Sequence, residues 1–356
     1  MKIPGIKRLR HTTQQLRSRL ERRTLILLYH RVADLPSDPW SLAVTPGHFA
    51  EHIEVLCRHF RSMWLQHLIQ RASNGALPQP SVVVTFDDGY ADNFHKAKPI
   101  LERYDVPATY FITIGAIGNE REFWWDELDK MLLQSGTLPV ELRLNINGRA
   151  YSWELGEAAY YSEAELQLHR SWRTQEDAPS ARHSLYRALW QILHSLTTDE
   201  RQKVLDELLM WAGIKSVSRA SHRTLSLDEM AALAQGGLIE IGAHTVNHPS
   251  LSALPAASQR DEIRQSKNRL EEILGRPVTS FAYPFGKRGD YTSETVDIVQ
   301  EVGFTCACSN IAGAVGRATD RYQLPRIYVQ DCDGDKFAKL LSKWLPVNFQ
   351  QSNAVS

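Results

Sequence analysis

The chain has 356 residues, 41 Lys plus Arg against 41 Asp plus Glu, and 43% hydrophobic content. That is enough apolar material for one large core, with no basic surplus of the kind that concentrates nucleic acid. No apolar run approaches the roughly 18 residues a membrane span needs, and the N-terminus lacks the apolar stretch and small-residue cleavage site of a secretory signal, so the expected setting is cytoplasmic, with the inner face of the membrane as a second setting.

The first 23 residues carry eight Lys or Arg against one Glu. Leu9, Leu16 and Leu20 fall at spacings that share a helix face. A solvated basic leader (1–23) is the simpler reading; peripheral contact with an anionic membrane is the alternative. From there, short β-rich blocks recur at 25–29, 82–86, 108–113, 239–243, 280–283, 304–308 and 324–329. Helix-like stretches lie between them, such as 46–60 and 257–275, the second stopping at Gly275 with Pro277 beyond. Strand, helix, strand in series implies parallel strands joined by crossovers. Seven such strands suit a β/α barrel over 24–330, and an open doubly wound sheet fits the count almost as well. Residues 119–223 break the rhythm and read as a mostly helical insertion with some strand. A C-terminal helix and tail occupy 331–356. Cys57, Cys306, Cys308 and Cys332 form no CxxC pair, which argues against a zinc ribbon or a dithiol redox site.

In β/α barrels the working groups sit at the carboxyl ends of the strands. His30 follows the first block, Asp87 and Asp88 the second, His244 the fourth, and Pro284, Phe285 and Gly286 the fifth. His244 and His248 are four apart, a spacing that puts two imidazoles on one side of a helical turn, where they can share a metal. A divalent cation would also offset the repulsion between the two adjacent carboxylates. One of them would bind it while the other faces the substrate water. Two His and one carboxylate leave coordination positions open, as catalytic sites do. Taken singly, HxxxH is more often a surface accident and DDG more often a turn; the weight lies in their meeting at one barrel mouth. No GxxxxGK[ST] phosphate loop and no GxSxG elbow is present.

These residues resemble a known family. "TFDDGY" (85–90), "HTVNHP" (244–249) and "YPFG" (283–286) are similar to the first three motifs of the polysaccharide deacetylases, carbohydrate esterase family 4, also called the NodB homology domain. The resemblance implies a distorted (β/α)7 barrel, in the α/β class, with Asp87 as general base and Asp88, His244 and His248 holding a divalent metal, with zinc the expected ion. It also implies an oxyanion donor in the backbone N–H near Phe285, with Pro284 beside it in the substrate site. Two features depart from the family pattern: no His follows His248, and "SFAYPFG" lacks the arginine that usually precedes the third motif. His30 in "LLYHRV" resembles the early histidine of an exopolysaccharide-type subgroup and would then be the general acid. Arg326 would replace the missing arginine by pairing with Asp87. Tyr90, Trp124 and Trp125 are candidates to stack on sugar faces, the competing role for the tryptophans being to anchor the insertion. The implied activity is metal-dependent removal of N-acetyl groups from amino sugars of a polysaccharide or glycolipid precursor. A deformylase or deacetylase of lipid-linked glycans and a non-catalytic carbohydrate-binding protein that retains the metal are the alternatives.

Overall fold

The structure, a computed structural model, describes residues 23–73, 80–215 and 217–345. Residues 1–22 of the basic leader and the tail after 345 lie outside that set. Each β-rich block contributes a strand: β1 Thr24–Tyr29, β2 Ser81–Phe86, β3 Ala108–Ile112, β4 Ile239–Ala243, β5 Ser280–Ala282, β6 Cys306–Cys308 and β7 Ile327–Tyr328. Their spatial order is β6-β5-β4-β3-β2-β1-β7, with every adjacent pair parallel. β1 and β2 align over their full length, from Thr24 opposite Ser81 to Tyr29 opposite Phe86. Both are buried throughout, as the unbroken apolar runs require of strands covered on two faces.

The sheet curls until its edges meet. Cys308 bridges to Leu324, Ser309 donates to the Leu324 carbonyl at 2.8 Å, and Leu324 donates to the Ala307 carbonyl at 2.9 Å. The result is a distorted (β/α)7 barrel, and the doubly wound alternative is set aside. Four strands are shorter than their blocks, β3 and β5 by one residue, β6 by two and β7 by four. Pro325 has no N–H to offer a ladder, so regular pairing on that side starts at Ile327. Phe304 still donates to Val299 O, in the turn that ends the preceding helix.

Helix α1, Pro46–His59, is capped by Thr45, whose hydroxyl accepts from His48 N, and buries Phe49, Ile53 and Leu56 against the barrel. Between β3 and β4 the chain leaves the barrel. It forms α2 (Trp124–Leu132), an antiparallel hairpin (Glu141–Ile146 with Arg149–Glu154), α3 (Ala181–His194) and α4 (Thr198–Ala212). Leu128, Leu142, Leu189 and Leu205 belong to a core of this segment's own, separate from the barrel core. After β4 comes α5, Ala256–Leu274, ended by Gly275.

Tight packing at β4 explains one glycine. A Cβ on Gly242 would lie 2.5 Å from Phe111 Cδ1 and 2.7 Å from Ser280 Oγ, closer than packed atoms come. Gly242→Ala is therefore expected to destabilise the barrel by about 1–3 kcal/mol, measured as a shift of the denaturant midpoint with an unchanged slope.

Candidate active site

β2 ends in a backbone reversal that sends the two aspartates apart. Asp87 N donates to Tyr29 O at 3.0 Å, continuing the ladder, whereas Asp88 takes the left-handed φ of 76°. Such a φ is uncommon outside glycine and costs energy that the surroundings must supply. Here Asp88 O accepts from Thr113 N at 3.1 Å and holds the turn.

Asp87 meets Arg326. The guanidinium binds it in a fork, Nη1 to Oδ1 and Nη2 to Oδ2, both at 2.7 Å. Arg326 is itself fixed by Ser309 O at 3.0 Å and Asn310 Oδ1 at 2.6 Å. Burial pushes the Asp87 carboxyl up, but Arg326, with His244 and His30 adding to it, outweighs burial and holds it at about 2. Asp87 is thus a carboxylate at neutral pH.

Asp88 meets the imidazoles. His248 Nε2 lies 3.3 Å and His244 Nε2 3.6 Å from Asp88 Oδ1. His244 donates from Nδ1 to Ala282 O at 2.7 Å, which turns its Nε2 lone pair toward the carboxylate. Burial lowers His244 to about 4 and His248 to about 3, so both rings are neutral, the form that ligates metals. One ligand atom from each of Asp88, His244 and His248 can be chosen so that all lie within 4.8 Å of one another. Asp88 Oδ1 is buried without a hydrogen-bond partner among the described residues. A carboxylate oxygen and two imidazole nitrogens facing one point, with that oxygen otherwise unsatisfied, fit a divalent cation.

The two imidazoles meet without the helical turn expected from their spacing. His244 directly follows β4, and Thr245 and His248 are left-handed, with φ of 65° and 53°. The Thr245 hydroxyl accepts from His248 N at 3.0 Å. The loop is clamped from both sides. Gly115 donates to Val246 O at 2.8 Å in an approach so close that a Cβ there would lie 2.5 Å from that oxygen. On the other side, Glu262 of α5 accepts from Val246 N (2.8 Å), Asn247 N (2.9 Å) and Asn247 Nδ2 (2.7 Å). Arg201 of α4, 3% exposed, donates to Asn247 O at 3.3 Å.

Asp87, Asp88, His244 and His248 line a cavity of about 510 Å³, together with His30, Trp125 and Phe285. That volume is in the range of sites for small organic ligands. His30 is half-buried, with its ring 5.5 Å from Tyr328, and burial lowers its pKa against the opposing pull of Asp88 and Asp87. Phe285 is left-handed, φ 58°, and its ring packs 4.6 Å from that of His248. Pro284 O accepts from Gly286 N at 2.6 Å in the same tight turn.

A family model described as Polysaccharide deacetylase matches residues 74–141 and 202–307. The chain belongs to the polysaccharide deacetylase family. Asp87, Asp88, Trp125, His244, His248, Pro284 and Phe285 fall inside the matched segments, and His30 and Arg326 fall outside them. YxkH of Bacillus subtilis is 30% identical over 115 residues, 32% of this chain and 39% of that one. The poly-beta-1,6-N-acetyl-D-glucosamine N-deacetylase of Staphylococcus aureus (strain MSSA476) is 31% identical over 93 residues, 26% of this chain and 32% of that one. The aligned stretches thus span well under half the length of these curated relatives. In fold, the Streptococcus pyogenes deacetylase PplD, solved in complex with acetate, is similar over 90% of this chain and 98% of that chain, with a TM-score of 0.55 and 18% identity.

Two aromatic expectations for this deacetylase-family chain need correction. Tyr90 is 0% exposed and cannot offer a face to a sugar. Its hydroxyl donates to Asp126 Oδ2 at 2.7 Å and accepts from Trp125 Nε1 at 2.8 Å, while the Arg31 guanidinium lies 4.3 Å from its ring centre. Tyr90 therefore fixes Trp125 from behind. Trp124 is buried in the insertion core, 5.4 Å from the Arg201 guanidinium. Trp125 lines the cavity but is also mostly buried, with its ring 4.9 Å from that of His248.

Glu262 and Arg201 were not singled out by sequence. Both sit on helices rich in charge, where one residue turned toward a loop carries no mark of its own. Two outcomes are expected. Arg326→Met, which strands a buried carboxylate, should cost about 3–5 kcal/mol of stability in chemical denaturation. Glu262→Ala, which frees three donors of the loop between the imidazoles, should weaken zinc binding by about 10–100-fold in a chelator-competition titration while leaving the fold intact by circular dichroism.

Proposed function

We propose that this chain is a metal-dependent hydrolase that removes N-acetyl groups from amino sugars of a glycan. The carrying observation is that a cation-binding triad, Asp88, His244 and His248, shares one cavity with a separate carboxylate, Asp87, kept ionised by Arg326. Membership of the deacetylase family supports the reaction class, and the staphylococcal relative's name supports an N-acetylglucosamine polymer as the substrate class.

In this reading Asp88, His244 and His248 hold the metal, and a donor set of one carboxylate and two imidazoles suits zinc. When bound, the metal polarises the acetamido carbonyl and makes water more acidic. Asp87 takes a proton from the attacking water, and Arg326 both orients its carboxylate and prevents its early protonation. Water oxygen bonds to the carbonyl carbon, the C–N bond breaks, and acetate and a free amine leave. The backbone N–H at Phe285 is the proposed donor to the oxygen on which charge develops. His30, at the end of β1 on the cavity wall, is the proposed acid for the departing amine.

No helix among the described residues is long and apolar enough to cross a membrane. The expected membrane contact through the basic leader falls on residues 1–22, outside the described residues.

Acetate release from β-1,6-linked N-acetylglucosamine oligomers should require bound metal, and both metal content and release should be lost together in Asp88→Ala and His244→Ala. His30→Ala should keep the metal, slow release by about 10²–10⁴-fold and remove the alkaline limb of the rate profile. A variant with unchanged rate and profile would exclude His30 as the acid.

A further inference from the structure

The metal triad and Asp87 occupy only part of the cavity. Another part of its wall is built by residues outside the segments matched by the family model: Trp40, on the loop after β1, and Trp190 and His194, on α3 of the insertion. They form a row of rings. His194 lies 4.3 Å from Phe285, Trp190 4.9 Å from His194, and Trp40 4.4 Å from Trp190. Phe285 in turn touches His248, so the row starts beside a candidate metal ligand and ends on a loop that comes from the barrel. Trp40 is held there by its indole N–H, which donates to the Tyr186 hydroxyl at 2.8 Å, and by the Tyr328 hydroxyl, which donates to its carbonyl at 3.3 Å.

Polar groups border the same row. His194 Nε2 lies 3.4 Å from Asp290 Oδ1, and Asp290 Oδ2 accepts from Lys287 N at 2.8 Å. Both His194 and Asp290 line the cavity. Half-buried indoles next to a carboxylate and an imidazole match the two surfaces of a sugar ring, an apolar face of C–H groups and a rim of hydroxyls. Neither group is needed by the hydrolytic step, since the acid, the base and the metal ligands are assigned elsewhere.

We propose that Trp40, Trp190, His194 and Asp290 form a subsite for a second sugar ring, adjoining the ring that carries the acetamido group. The substrate is then an oligomeric glycan rather than a single sugar, and the insertion contributes to specificity through Trp190 and His194. This rests on the amino-sugar reading above but is tested by binding rather than turnover.

The test is calorimetric titration of N-acetylglucosamine and its β-1,6-linked dimer and trimer into metal-loaded Asp87→Asn protein, alone and combined with Trp190→Ala, His194→Ala or Asp290→Asn. The dimer is expected to bind more tightly than the monomer. That gain should shrink by about two- to tenfold in the Trp190→Ala background and should also fall with His194→Ala and Asp290→Asn, which leave the tryptophan packing in place. Equal affinity for monomer and dimer, no binding of any of the sugars, or a gain that survives all three substitutions would overturn the subsite. Acetate release by the wild type is measured separately. A dimer gain without any release would overturn the hydrolytic reading and leave the subsite standing.

Discussion

Two carboxylates on adjacent residues, buried in one barrel, are tolerable because their partners differ: only Asp87 is paired with a buried guanidinium, while burial raises the pKa of Asp88 and disfavours its charged form. Asp87 has Arg326 in a two-pronged pair. Asp88 faces two neutral imidazoles and keeps an unsatisfied oxygen toward them. The left-handed turn at Asp88 keeps these arrangements from merging, because it directs consecutive side chains to different partners. If both acids addressed the same cation, no free carboxylate would remain to handle a proton; if both addressed Arg326, no ligand would remain for a metal. Division of labour between the acids is thus a matter of backbone geometry before it is one of chemistry.

The barrel provides the rigidity this demands. β1 and β2 are paired along their whole length and place His30 and the aspartates side by side, while β4 and β5 deliver His244 and the Ala282 carbonyl that orients it. Closure at Cys308 and Leu324 brings the chain leading to Arg326 next to β6, and Arg326 also bonds Ser309 O beyond that strand. The arginine thus reaches the acid from a distant part of the sequence through a buried path with defined partners.

The strands were legible because buried parallel strands must be apolar on both faces, and the blocks from 25–29 to 324–329 have few other readings. Asp88, His244 and His248 were legible as a set because strand ends converge in a barrel. What misled was local period. Four-residue spacing suggested a helical turn for His244 and His248, but Glu262 and the Thr245 hydroxyl provide an irregular loop with the hydrogen bonds a helix would otherwise supply. Tyr90 misled for a related reason: an aromatic beside a polar motif looks available to ligand, and only the position of Asp126 and Arg31 around it shows that it is enclosed. Trp190 and His194 stand in a segment whose packing over the mouth is set by tertiary contacts, so no pattern within α3 announces them.

Seven residues other than glycine adopt a left-handed backbone among the described residues, and four of them, Asp88, Thr245, His248 and Phe285, crowd around one cavity. Each is a conformation that side chains resist. Selection for thermal endurance alone would therefore push these positions toward glycine or asparagine, relaxing the backbone while erasing the hydroxyl, imidazole and carboxylate that the contortion exists to present. In this molecule, hardiness and chemical competence pull on the same few peptide units from opposite ends.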